Sequence, residues 1–124
     1  MEVTFYDQVG GHEFFHRLVE NFYAEVENDE LLRPMYPEDL SESKRHFEMF
    51  IEQYWGGPKN YSQERGHPRL RMRHAPFRIT RAARDAWLVA MSKAMERERD
   101  AMSSEQFDQL HDYFDMAAHQ MRNV

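Results

Sequence analysis

Apolar residues recur at spacings of three and four in four separate stretches of this 124-residue chain, and no stretch keeps the period of two that a strand needs. The pattern predicts an all-α domain spanning residues 1–124. The first stretch, from about His12 to Asn28, carries Phe15, Leu18, Val19, Phe22, Tyr23 and Val26 on one face. The second, from about Ser41 to Trp55, carries Phe47, Phe50, Ile51 and Tyr54. The third opens at Thr80 and is expected to reach about Ala101, with Ala83, Trp87, Leu88, Met91, Ala94 and Met95 aligned. The fourth follows a Ser103-x-x-Gln106 capping box and carries Phe107, Leu110, Phe114, Ala117 and Met121. Thr4 can cap a very short helix that Gly10-Gly11 stops, and Asn28-Asp29 can cap a single turn through Leu31-Leu32. Pro34 and Pro37 turn a corner around Tyr36, and Gly56-Gly57-Pro58 ends the second long helix. Residues 56–67 read as an irregular loop. Pro68 suits the start of a short helix over about Arg69–His74, which Pro76 forbids from continuing.

Composition narrows the chemistry. Without cysteine, the chain has no disulfide, iron–sulfur cluster, covalently attached haem or thiol nucleophile. The charged fraction of 31% leaves no apolar run long enough to span a membrane. The opening Met1–Asp7 lacks the basic-then-apolar order of a secretory signal, so a cytoplasmic protein is expected. A formal charge of -6 argues against binding nucleic acid in bulk.

Against that acidic average, Arg65–Arg78 concentrates five arginines and two histidines with no acidic residue. His74 sits between Met72 and Phe77 and is a candidate metal ligand, because neutral imidazole binds metals well. Arginine forks suit carboxylates. Leu70, Met72, Phe77 and Ile79 add apolar surface beside Tyr61 and His67. A flat apolar ring bearing carboxylates would use both kinds of group, and protoporphyrin is such a molecule. Its iron would take His74, and its propionates would take Arg65, Arg73, Tyr61 or His67. The opposite face would need a few polar tips on apolar bodies, which Tyr23, Tyr36 and Trp87 supply. Each of these, taken singly, is more often a core aromatic with a satisfied tip.

Two other metal patterns occur. His12-Glu13-Phe14-Phe15-His16 matches the zinc-protease spacing formally, but Val19 and Phe22 stand where the extended pattern needs glycine and a third histidine. The plain reading is two surface histidines beside a core stripe. Glu13-x-x-His16 and Asp108-x-x-His111 suggest a di-iron bundle, but the other two long helices put only apolar residues at their inward positions.

The residues Phe5-Tyr6-Asp7-x-Val9-Gly10-Gly11, Tyr36-Pro37-Glu38-Asp39, Gln53-Tyr54-Trp55-Gly56-Gly57-Pro58, Arg65-Gly66-His67-Pro68 through Phe77, and Asp85-Ala86-Trp87-Leu88 resemble the group II truncated haemoglobins over essentially the whole chain. The resemblance implies a shortened globin, two helices over two around haem b, with a proximal segment that is mostly loop. It implies His74 as proximal iron ligand and Tyr23, Tyr36 and Trp87 as distal polar residues that stabilise a ligand. Ser43 falls where vertebrate-type globins place a distal histidine, and Phe47 one turn later faces the haem. Phe50, Tyr61, Arg65, His67, Met72, Arg73, Phe77 and Ile79 complete the expected haem contacts. The implied function is binding O2, CO, nitric oxide or cyanide at ferrous iron with slow release. That makes redox chemistry a better expectation than oxygen transport: nitric oxide dioxygenation or peroxide turnover, supplied by an electron-donating reductase. The alternative is an oxygen sensor or store without turnover. A homodimer is compatible with either.

Overall fold

The computed structural model describes residues 3–124 and contains only helices and loops among them. Seven α-helices run in order: α1 Phe5–Val9, α2 Gly11–Glu27, α3 Ser41–Tyr54, α4 Asn60–Arg65, α5 Leu70–His74, α6 Arg81–Glu96 and α7 Ser104–Met121. Two 3₁₀ turns, Arg33–Met35 and Arg99–Ala101, shape the corners. The capping predicted from sequence is present. Thr4 and Asp7 bond reciprocally at the start of α1, and Ser103 and Gln106 do so at the start of α7. Thr80 caps α6 by accepting from the Ala83 N–H at 3.1 Å.

The two layers follow from the apolar faces. Helix α2 packs on α3 in one layer and crosses α6 in the other, where α6 packs on α7. Phe14, Phe15, Leu18, Val19 and Phe22 of α2 meet Ile51, Met91, Met95 and Leu110, all essentially excluded from solvent. Each such side chain contributes about 1.5–3 kcal/mol through burial. No helix is long and apolar enough to cross a membrane among the described residues.

Two segments depart from the sequence reading. Residues 60–65 form α4 where a loop was expected, because one buried side chain, Tyr61, anchors a turn too short to show periodicity. Helix α6 stops at Glu96 rather than near Ala101. After Met95 the chain reads Glu-Arg-Glu-Arg-Asp and offers nothing apolar to hold a further turn on the core. The single turn expected through Leu31-Leu32 is present and capped by Asp29: both N–H groups donate to Asp29 Oδ1 at 2.9 Å, and the 3₁₀ turn follows it.

The Gly56-Gly57 corner receives the N-terminal segment. Tyr6 N donates to Trp55 O at 3.0 Å, and the Tyr6 ring lies against Gly57. A Cβ on Gly57 would stand 2.7 Å from Tyr6 Cδ2 and 2.8 Å from the backbone oxygen of Glu52, which cannot swing aside. Gly57→Ala is therefore expected to cost about 1–3 kcal/mol through overpacking, read as a lower urea midpoint. An unchanged midpoint would show that the corner yields freely.

Candidate functional site

Between the layers lies a cavity of about 580 Å³, within the range of cofactor pockets. Its lining joins parts of the chain that are far apart in sequence. Helix α2 contributes Phe22 and Tyr23, the proline corner Tyr36, and α3 Ser43, His46, Phe47 and Phe50. Helix α4 contributes Tyr61 and Arg65, the basic segment Leu70, Arg73, His74, Phe77 and Ile79, and the third long stretch Arg84 and Trp87.

His74 ends α5, and its Nδ1 lies 2.6 Å from the Leu70 carbonyl oxygen one turn earlier. A carbonyl only accepts, so Nδ1 carries the proton. Nε2 of the neutral ring is left with a free lone pair, the tautomer a metal ligand needs. The C-terminal end of the chain fixes this segment. Asn123 Nδ2 donates to Phe77 O at 2.9 Å and His74 O at 3.4 Å, while its Oδ1 accepts from Ile79 N at 2.9 Å.

Elsewhere on the cavity wall, three polar aromatics, Tyr23, Tyr36 and Trp87, stand among apolar rings. Tyr23 Oη and Ser43 Oγ are 2.6 Å apart, so Ser43 is tied to Tyr23. Tyr23 and Tyr36 meet edge to face at 5.7 Å, and Trp87 lies 5.1 Å from Phe22, 6.4 Å from Phe47 and 5.7 Å from Phe114. Burial pushes the Tyr23 phenol up to about 12, partly offset by its bond to Ser43. Burial pushes Tyr36 higher still, Tyr23 adds to the shift, and the Trp87 indole opposes it. Both hydroxyls therefore keep their protons at neutral pH and remain able to donate.

Of the positions singled out in the sequence, Tyr23, Tyr36, Ser43, Phe47, Phe50, Tyr61, Arg65, Arg73, His74, Phe77, Ile79 and Trp87 all line the cavity. His67 and Met72 do not. His67 Nδ1 accepts from the Arg69 N–H at 3.1 Å and turns back on its own loop. Met72 sits half a turn round α5 from the Leu70–His74 face and is 60% exposed. Arg73 reaches the cavity but commits two donors to the backbone, at 2.8 Å to Pro68 O and 3.1 Å to Arg65 O.

His46 and Arg84 are additional polar lining residues. Arg65 donates to His46 Nδ1, and burial together with the Arg65 charge holds His46 below its ordinary pKa. The sequence carried a signal for His46, which follows Ser43 by three residues on the face that also bears Phe47 and Phe50. Arg84 precedes Trp87 by three residues and stands on its face.

The donor set fits haem. One imidazole has its lone pair free, an apolar slot surrounds it, and Arg65 and His46 supply cationic and hydrogen-bonding groups at that slot. The comparisons agree. The pattern of the bacterial-like globin family matches residues 4–123. The chain is 48% identical over 86 residues to group 2 truncated hemoglobin YjbI of Bacillus subtilis, covering 69% of this chain and 65% of that protein, just under two thirds of its length. The thermostable haemoglobin of the actinobacterium Thermobifida fusca superposes with a TM-score of 0.95 at 48% identity, covering 98% of each chain. The truncated oxygen-avid haemoglobin of Bacillus subtilis superposes with a TM-score of 0.90 at 39% identity, covering 98% of this chain and 100% of that one. This chain belongs to the bacterial-like globin family as a group II truncated haemoglobin, and with that family goes the binding of haem and of small gaseous ligands.

Proposed function

We propose that this chain holds haem b through His74 and uses it for redox chemistry on a slowly released oxygen ligand, such as nitric oxide dioxygenation or peroxide turnover. The observation that carries this reading is the His74 Nδ1–Leu70 carbonyl bond, which leaves Nε2 free on a histidine that lines the same cavity as Tyr36 and Trp87. When bound, haem supplies an iron that takes a diatomic molecule and exchanges electrons with it. The chain's own part is to position and select. The Leu70 carbonyl fixes the His74 tautomer and raises the basicity of Nε2. Arg65, with His46 and Tyr61 beside it, is the leading partner for the propionates through charge-assisted bonds. Tyr36 and Trp87 donate toward the partial negative charge that a diatomic ligand acquires, and Tyr23, anchored on Ser43, supports Tyr36. Phe22, Phe47 and Phe114 exclude water from these donors, which strengthens them.

Two donors on one ligand slow its escape, which suits a reaction held in place better than bulk delivery. The oxygen-avid Bacillus subtilis protein points the same way. Turnover then needs one electron per cycle from a reductase. Mixing the oxygenated protein with nitric oxide in a stopped-flow instrument is expected to yield stoichiometric nitrate, with a return to the ferrous state when a cellular reductant is present. Without nitrate, or without any route back to ferrous protein, the sensor or store reading takes its place.

A further inference from the structure

The His12–His16 pair has no part in the cavity, yet the fold gives it a setting that the sequence pattern alone did not suggest. Both residues lie in the first turns of α2 and face α3, where Glu48 and Glu52 stand one turn apart. His12 Nδ1 is 2.8 Å from Glu52 Oε1, and His16 Nδ1 is 2.8 Å from Glu48 Oε1. The two imidazole rings lie 5.7 Å apart, tilted by 31°. One ligand atom from each of His12, His16 and Glu48 falls within 4.8 Å of the others.

We propose that His12, His16 and Glu48 form a second metal site, for a divalent transition ion of the zinc class, bridging α2 and α3 on the outer surface. Two imidazoles and one carboxylate suit zinc, nickel or copper and suit magnesium or calcium poorly. Tetrahedral zinc, with bonds of about 2.0–2.1 Å, sets its ligand atoms roughly 3.3 Å apart. The present spread closes to that by small rotations of two exposed histidines. Glu52, almost wholly buried behind them, holds the His12 ring in place, as carboxylates behind zinc histidines commonly do. The carboxylates of Glu52, Glu48 and Glu13 all act on His12 with the same sign, a field that draws cations. Glu13 is no zinc-protease base here, because the extended pattern's third histidine is replaced by Phe22, which is buried in the core. The ion would act as a clamp. His12 lies eleven residues before Tyr23, roughly 16 Å along the helix, so the clamp acts on the scaffold and leaves the cavity donors in place.

The test uses the purified protein, cleared of free metal with a chelator and titrated with zinc chloride by calorimetry. One ion per chain is expected with micromolar affinity, together with a rise in Tm of about 5–10 °C at saturation. His12→Ala and His16→Ala are each expected to weaken binding at least about tenfold and to remove the Tm rise. Both side chains are more than half exposed, so neither change threatens the fold, and an unaltered visible spectrum checks this. His46, His67, His74, His111 and His119 could also capture zinc, which the double variant resolves. If that variant binds zinc with unchanged stoichiometry and affinity, or if the parent chain binds none at about 1 mM zinc, the proposal is overturned.

Discussion

His74→Ala is expected to abolish stable haem retention. Groups that merely support a metal ligand change affinity by about 10–100-fold when removed, so losing the ligand itself is expected to exceed that. The measurement is the Soret band after gel filtration of reconstituted protein, followed by the rate of haem transfer to an acceptor protein. Failure to fold would mimic the result, but α5 contains no fully buried side chain, so circular dichroism is expected to stay unchanged. Added imidazole should then restore a ferrous spectrum close to the parent's, by filling the space vacated by the side chain. A variant that keeps its haem with an unaltered spectrum would remove His74 from the ligand role and redirect attention to His46, the other histidine on the cavity wall.

Trp87→Phe is expected to accelerate oxygen dissociation by about ten- to hundredfold. The change deletes one N–H donor while keeping most of the ring that packs on Phe22 and Phe114. A hydrogen bond to a charged or charge-bearing acceptor contributes about 1.5–3 kcal/mol, and each 1.36 kcal/mol is a factor of ten in rate. Displacement of oxygen by CO in a stopped-flow instrument reads the rate directly. Association should change little, because the donor acts after the ligand arrives. An unchanged dissociation rate would leave Tyr36 as the sole donor, and Tyr36→Phe would then carry the whole effect.

How far the sequence alone reaches depends on which physical signal a feature leaves. The core faces of α2, α3, α6 and α7 leave a period, and the two capping boxes leave residue types at fixed offsets, so both were legible. That His74 would line a pocket was legible because it stands between apolar neighbours and among arginines in an acidic chain. The cavity was not, since a gap between layers has no periodicity: Tyr23, Tyr36 and Trp87 stood out as polar tips on apolar bodies, but spacing alone could not assemble them into one pocket. Helix α4 escaped because six residues with one buried side chain are shorter than any detectable repeat. His46 escaped because attention to apolar positions passes over a polar residue on the same face. His67 and Met72 were assigned too generously, since neighbours of a ligand in sequence need not share its face of a one-turn helix.

The Asn123 contacts have a consequence for the order in which the protein matures. They join residue 123 to residue 74, forty-nine positions back, so the segment bearing the histidine is among the last parts of the chain to gain its partners. At about 5–20 residues per second, synthesis reaches Asn123 roughly 2–10 s after His74 is made. During that interval the last two of the four core-facing stretches, α6 and α7, are made, while the histidine segment waits on a contact of high sequence separation. The backbone around His74 thus gains the bonds that Asn123 makes to His74, Phe77 and Ile79 only after α7 has been made.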